Sequence, residues 1–321
     1  MLRGDQWENS YHHRGTEFYW DSQASTPAES EMQFGDYRVE VVSDTEFRLD
    51  GGAMFGVVPR TLWEKVCQPD DQNRIRLNTN CLFLDTGGER ILIETGIGEK
   101  WSARHNVMYG ITRERPLADS LRSVASIEPE DITIVINTHL HFDHAGGNTM
   151  PTEEGKVVPA FPRARYFVSR AEFEHAEDPT ERDRASYLPE NWRPLNESGQ
   201  LELKEPTYEV VPGLRMETHA GHNRTMQCWR LERGGRTLFG FADLVPMRAH
   251  VQFPWIMGYD LFPVETLAAK KRLLPQAARE GWLCLFYHDP DEPLCRLVEE
   301  DGKLAPVSVA SEEGGGFDAK P

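Results

Sequence analysis

The sequence predicts an α/β fold of two mixed sheets covered by helices. Three observations carry that prediction. Strand-like apolar segments come in two series along the 321-residue chain, helical patterns fall between them, and no segment repeats at a fixed period. The last point argues against a barrel of eight regular repeats.

The first series opens with "YRVEVV" (37–42) and "EFRLDGG" (46–52) as two strands. "NCLFLDTGGERILIETG" (80–96) is an apolar strand, a Gly-Gly turn and a second apolar strand, the pattern of a hairpin. "PLADSLRSVASI" (116–127) places Leu117, Leu121 and Val124 on one helical face. "DITIVIN" (131–137) is short and almost wholly apolar, as a strand buried on both faces must be. "RARYFVS" (163–169) is a strand, and "SRAEFEHAE" (169–177) a helix with Ser169 as its N-cap.

The second series consists of "YEVV" (208–211), "LRMETH" (214–219), "MQCWRLE" (226–232) and "RTLFGFAD" (236–243), all strands. "PVETLAAKKRLL" (263–274) is helical, with Pro263 suited to its first turn and Pro275 expected to end or kink it. "GWLCLFYHD" (281–289) is a further buried strand. The ends differ in character. Residues 1–33 are polar and aperiodic, an expected arm that carries His12 and His13; 34–310 form the folded domain; 311–321, within "SEEGGGFDAKP", form a flexible tail.

Composition excludes several functions. The formal net charge is −17, which repels phosphate backbones and anionic lipid, so neither nucleic acid nor a membrane surface is an expected partner. No apolar run approaches the roughly 20 residues of a membrane helix. The N-terminus has no apolar core of a secretory signal, so the expected location is the cytoplasm. Cys67, Cys81, Cys228, Cys284 and Cys295 are irregularly spaced without a C-x-x-C, which fits reduced thiols better than disulfides or a cysteine zinc site.

The chemistry concentrates in "VINTHLHFDHAGGN" (135–148). A buried strand ends near Asn137. In extended backbone, residues two apart point the same way, so His139 and His141 can face one point. Asp143 and His144 follow and can supply a second, adjacent point; "AGGN" then allows close backbone approach. Imidazole and carboxylate donors suit zinc, and imidazole also suits iron and nickel. Further ligands must come from elsewhere. Among His105, His175, His219, His222, His250 and His288, two stand at predicted strand ends: His222 in "THAGHN" and His288 in "LCLFYHDP". Asp243 ends "LFGFAD" in the same way.

This order of H-x-H-x-D-H, a Gly-His loop, an Asp after a strand and a late His resembles the metallo-β-lactamase-fold hydrolase superfamily, over roughly residues 34 to 300. The resemblance implies a four-layer αββα sandwich. It also implies two metal ions: His139, His141 and His222 on the first, Asp143, His144 and His288 on the second, and Asp243 bridging them. Zinc is the expected ion, with iron, manganese or cobalt as alternatives. Two departures are visible. The family's frequent Asp-Thr-Gly is Glu94-Thr95-Gly96 here, and its Thr-Pro-Gly-His loop is His219-Ala220-Gly221-His222, which favours His222 over His219 as ligand.

By resemblance, the reaction is hydrolysis in which a metal-bridging hydroxide is the nucleophile and Asp143 orients or shuttles a proton. The chain holds no G-x-S-x-G elbow and no P-loop. Redox di-iron relatives carry Glu where this chain has His141, and many β-lactamases carry Cys where it has Asp243. "DGGAMFGVVPRTLWEK" (50–65) and "ADLVPMRAHVQFPWIMGYDLFPVETL" (242–267) resemble the lactonase-like branch, which includes quorum-quenching lactonases and methyl-parathion-hydrolase-like enzymes. The first would lie over the site as an apolar loop. Met54, Phe55 and Val58, with His250, Trp255 and Tyr259, would then meet a small-molecule substrate, or the loop near 52–63 would meet a second subunit in a homodimer. The expected substrate is an ester-like bond, foremost a lactone. The alternatives are glyoxalase-II-like thioesterase, phosphotriesterase or β-lactamase-like activity, a mononuclear iron persulfide-dioxygenase type, and a metal-binding protein without catalysis.

Overall fold

The computed structural model describes residues 32–309. The expected arm with His12 and His13, and the expected tail 311–321, lie outside the described residues. Nine strands form the first half: β1 (Met32–Phe34), β2 (Tyr37–Asp50), β3 (Arg74–Asp85), β4 (Arg90–Ile93), β5 (Ile134–Ile136), β6 (Thr149–Pro151), β7 (Val157–Pro159), β8 (Arg165–Ser169) and β9 (Leu201–Lys204). The second half adds β10 (Thr207–Val211), β11 (Leu214–Thr218), β12 (Gln227–Arg233), β13 (Arg236–Gly240), β14 (Leu283–Leu285), β15 (Leu294–Glu300) and β16 (Lys303–Ser308). One sheet has the order β1-β2-β3-β4-β5-β8-β9, the other runs β10 to β16 in sequence, and β6-β7 is a separate ribbon.

Both sheets are mixed. β4-β5, β5-β8 and β8-β9 pair in parallel in the first, β13-β14 in the second. Side-chain alternation builds the layers. Leu82, Leu84, Ile91, Ile93, Ile134 and Ile136 of the first sheet meet Met216, Trp229, Leu231, Leu238, Leu283 and Leu285 of the second in one buried core. Their neighbours Cys81, Phe83, Leu92 and Val135 point the other way, against Leu117, Leu121, Ala125 and Leu195. On the far side, Cys228, Phe239, Cys284 and Leu297 pack against Ala269, Leu273, Leu274 and Ala277 of the helix Pro263–Glu280. The result is helices, sheet, sheet and helix, the expected sandwich.

Three local expectations need correction. "YRVEVV" and "EFRLDGG" are one 14-residue strand, β2, with a bulge between Ser43 and Glu46. Thr79 makes that continuity possible: its Oγ1 accepts from Thr45 N at 3.0 Å and donates to Thr45 O at 3.1 Å, so the bulged backbone stays paired. Pro275 does not end its helix, which runs on to Glu280 and closes at Gly281 in the left-handed conformation. The carbonyl freed four residues earlier belongs to exposed Lys271, while Leu273, Leu274 and Ala277 hold the helix to the sheet. Residues 51–63 are not a loop but two short helices, Gly51–Phe55 and Arg60–Trp63. Asp50 Oδ1 caps the first by accepting from Ala53 N at 2.8 Å.

Among the described residues no helix is long and apolar enough to cross a membrane, and all five cysteines are free. The topology brings four chain segments to one edge: those following β5, β11, β13 and β14 lead to Asn137–His144, His222, Asp243 and His288.

Candidate metal centre

Beyond β5 the backbone bends at Thr138 and His139, is extended at His141, and then turns into the short helix Phe142–Ala145, where Ala145 N donates to His141 O at 2.9 Å. This change of conformation is what separates the two pairs of donors. The glycines after it are required by contact. A Cβ on Gly146 would lie 2.1 Å from Ile97 O, and one on Gly147 would lie 2.1 Å from Thr95 O, so the segments 95–98 and 146–147 touch backbone to backbone.

Seven donors converge. Ligand atoms of His139, His141 and His222 lie within 4.8 Å of one another, and so do those of Asp143, His144 and His288. Asp243 stands between the groups. Its Oδ2 lies 3.4 Å from His222 Nε2 and 4.0 Å from His139 Nε2; its Oδ1 lies 3.0 Å from His144 Nε2 and 3.2 Å from His288 Nε2. Ala242, just before it, has φ of 45°, a left-handed backbone that a non-glycine residue adopts at a cost. All seven are buried.

A second ring of contacts fixes the imidazoles. His222 Nδ1 donates to Asp260 Oδ1 at 3.0 Å, and Asp260 Oδ2 accepts from Thr266 Oγ1 at 2.6 Å. His288 Nδ1 donates to Asn78 O at 2.9 Å. His139 Nδ1 lies 3.0 Å from Thr138 Oγ1, which donates to Glu94 Oε1. The same Glu94 oxygen is 3.3 Å from His144 Nδ1. Partners of this kind set the tautomer and leave the other ring nitrogen free as a ligand.

The residues fit cations on a direct observation. His139 Nε2, His144 Nε2 and Asp243 Oδ1 are buried without a well-formed hydrogen bond, and His141 Nδ1 faces His222 Nε2 at 3.1 Å, two ring nitrogens turned toward each other. Each such atom costs about 1–3 kcal/mol unless something satisfies it. The electrostatics of the metal-free cluster divide its histidines into two groups. Burial, together with the neighbouring imidazoles, holds His139 and His141 well below the usual histidine range, as lone-pair donors. Burial opposes charge on Asp243, yet His144, His288 and His222 around it keep its carboxyl well below the usual range. Burial also opposes charge on His144 and His222, but Asp243, with Glu94 at His144 and Asp260 at His222, raises both toward the protonated form, and a cation bound there would take the place of that proton. His219 stays outside the cluster, 3.4 Å from Glu217 and 2.9 Å from Arg272.

A cavity of about 390 Å³ opens above the donors. Its floor includes His141, Asp143, His222, Asp243 and His288, and one wall is apolar, with Leu49, Met54, Leu77, Phe142 and Met257. Met54 and Tyr259 line it; Phe55, Val58, His250 and Trp255, expected to face substrate, do not. Phe55 is fully buried, stacked on Trp63 at 5.3 Å and on His250 at 4.7 Å, with Trp255 edge-on at 5.5 Å. His250 Nε2 is committed to Met54 O at 2.8 Å, and burial pushes its pKa down to about 3. These residues support the wall from behind because their aromatic faces find better partners in each other than in the cavity.

Sequence reasoning missed Tyr109, Arg182, Asp183, Ser186 and Met257 in the lining, and Asp260 behind His222. "DPTERDRASY" reads as a solvated polar run, and only its folding back over the site gives it meaning. Asp260 carried a weak signal, a lone acid within an apolar stretch.

The profile of the metallo-beta-lactamase superfamily matches residues 74–288. An N-acyl homoserine lactonase of Bacillus cereus is 30% identical over 251 residues, covering 71% of this chain and 88% of the relative. An N-acyl homoserine lactonase of Azorhizobium caulinodans is 25% identical, covering 64% and 76%. Among solved structures, a probable metal-dependent hydrolase from Staphylococcus aureus superposes with TM-score 0.79 and 29% identity, covering 86% of this chain and 98% of that one. A dizinc quorum-quenching lactonase shares the fold at TM-score 0.70 and 19% identity, covering 87% and 96%. The strand order, the buried His/Asp cluster and these similarities agree: the chain belongs to the metallo-beta-lactamase superfamily, in the branch that holds the N-acyl homoserine lactonases.

Proposed function

We propose that this protein is a metal-dependent hydrolase that opens lactone rings. The observation that carries the reading is a buried cluster of seven His and Asp side chains, with unpartnered donor atoms, opening on a largely apolar cavity. His139, His141 and His222 would hold one cation, Asp143, His144 and His288 another, and Asp243 would contribute one oxygen to each. Bound there, divalent cations supply Lewis acidity to a carbonyl oxygen and make water acidic enough to attack near neutral pH. Zinc suits the donor set, and iron, manganese and cobalt suit it too.

The chain's own residues do the remaining work. Asp143 is in the cavity floor, its Oδ2 3.5 Å from His288 Nε2, placed to hand a proton to the alkoxide oxygen that leaves when the ring opens. Tyr287 fixes its backbone by donating to Asp143 O at 2.7 Å. Leu49, Met54, Leu77, Phe142 and Met257 offer an apolar wall for a hydrocarbon substituent and exclude water beside the reacting carbonyl. The balance is simple: a water oxygen bonds to the carbonyl carbon, the ring C–O bond breaks, the ring oxygen takes a proton, and the new acid ionises. The similarity to N-acyl homoserine lactonases points the same way.

The test combines metal analysis with turnover. Protein loaded with zinc, manganese or cobalt is assayed on acyl-homoserine lactones, thioesters, phosphotriesters and β-lactams. Lactone turnover with close to two metals per chain supports the reading, and Asp243→Ala should lose metal and activity together. Turnover of another class with none on lactones overturns it, and a single tightly bound iron overturns the two-cation part.

A further inference from the structure

One wall of the cavity is polar and has no part in the donor cluster. It is formed by Arg182, Asp183 and Ser186, on the turn that follows the helix Arg170–Glu177. Asp183 is buried, 6% exposed, although it lies in a run of exposed charges. Its carboxylate is held from two sides. His175 Nε2 donates to Oδ2 at 2.6 Å, and Thr180 Oγ1 donates to Oδ1 at 2.5 Å. The turn itself is braced by Arg184 N on Thr180 O at 2.9 Å and Ser186 N on Asp183 O at 2.8 Å. Arg182 donates to Gly258 O, tying this turn to the opposite lip of the cavity.

A carboxylate offers about four acceptor positions. Two are filled by Thr180 and His175, so acceptor capacity remains on a side chain held from two sides. The dyad is also close to the reacting region. His175 packs on the Tyr187 ring at 5.4 Å, and Tyr187 packs on His141 at 4.6 Å. Asp183 and His141 line the same cavity. A lactone whose carbonyl meets the donor cluster places its next carbon one bond, and any substituent there two bonds, from the reacting carbon. An N–H or O–H on that substituent needs an acceptor on the cavity wall, and Asp183 is a carboxylate lining the cavity that His141 also lines. An apolar substituent finds no match in a fixed carboxylate.

We propose that Asp183, positioned by His175 and Thr180, is a specificity residue that accepts a hydrogen bond from a donor group on the carbon next to the scissile carbonyl. The substrate class this selects is lactones bearing an α-amide N–H or α-hydroxyl over plain alkyl lactones. The inference rests on the lactone reading above. Hydrogen bonds to a charged group are worth enough to change kcat/KM by about 10- to 100-fold.

The experiment compares two substrates on wild type, Asp183→Ala and Asp183→Asn: N-hexanoyl homoserine lactone and an α-alkyl-γ-butyrolactone of matched length, which lacks the N–H. Metal content and melting temperature are measured for each protein. The expected result is a fall of about 10- to 100-fold in kcat/KM for the amide lactone, mainly through KM, with the alkyl lactone within about threefold of wild type. Asp183→Asn keeps the side-chain shape and one acceptor oxygen but loses the charge, so it should show the same split in smaller measure if Asp183→Ala folds poorly. Equal losses on both substrates would assign Asp183 a structural role and overturn the proposal, as would no loss on either. If wild type opens neither lactone, the lactone reading fails first, and the wild-type control shows it.

Discussion

Replacing Asp260 with alanine tests how the centre is held. Asp260 is buried and both its oxygens are used, by His222 Nδ1 at 3.0 Å and by Thr266 Oγ1 at 2.6 Å. Removing the carboxylate leaves His222 Nδ1–H without an acceptor and Thr266 Oγ1 with only Phe262 O at 3.5 Å, at about 1–3 kcal/mol each, so metal-free protein should lose roughly 2–6 kcal/mol of stability at most. The second consequence is at His222. Its ring loses the acceptor that fixes Nδ1–H and turns Nε2 inward, and such losses weaken metal binding about 10- to 100-fold. The assays are urea denaturation of chelator-treated protein and competitive zinc titration of the refolded protein. Asp260→Asn should be milder, because its amide oxygen still accepts from His222. A variant with wild-type zinc affinity and wild-type metal-free stability would refute the reasoning, since it would mean that His222 needs no support.

Three further outcomes are expected. Gly147→Ala should destabilise the protein by about 2 kcal/mol or more in thermal or urea unfolding, because its Cβ would lie 2.1 Å from Thr95 O and two backbones would have to separate. Lys270 is buried, donates to Gln252 O at 2.8 Å and Trp255 O at 2.7 Å, and burial pushes its pKa from 10.5 down to about 7. Between those values the unfolded chain binds a proton that the folded chain does not, so stability should rise with pH by up to about 1.4 kcal/mol per unit from this group; Lys270→Met should remove that slope in urea titrations at pH 7 to 10. Chelation should lower the melting temperature, since a ligand at 100 times its Kd contributes about 2.7 kcal/mol to the folded state; re-addition of zinc should restore it.

The layered fold was legible because its signals are local. "NCLFLDTGGERILIETG" alternates Leu82 and Leu84 inward with Cys81 and Phe83 outward, and "DITIVIN" is apolar because β5 has a sheet neighbour on either side and packing on both faces. The expected donors come together in the structure for a related reason: each follows a strand end, and the parallel pairings β4-β5 and β13-β14 bring those ends to one edge. What escaped depends on partners distant in sequence. The continuity of β2 hangs on Thr79, 34 residues from Thr45. Phe55 and His250 have the composition of a pocket, but stack on each other, and no periodicity encodes that choice. Asp183 is one acid among many charged neighbours, and only the turn that buries it gives it a role.

The central claim is that the buried His/Asp cluster holds cations that open a lactone ring. A pH-stat measurement on N-hexanoyl homoserine lactone tests it most directly, run on zinc-reconstituted protein, the same protein after chelation, and Asp243→Ala. The account predicts one proton released per lactone opened by the zinc protein, and loss of that release in the other two. Metal bound at the cluster with no proton release from any lactone would contradict it.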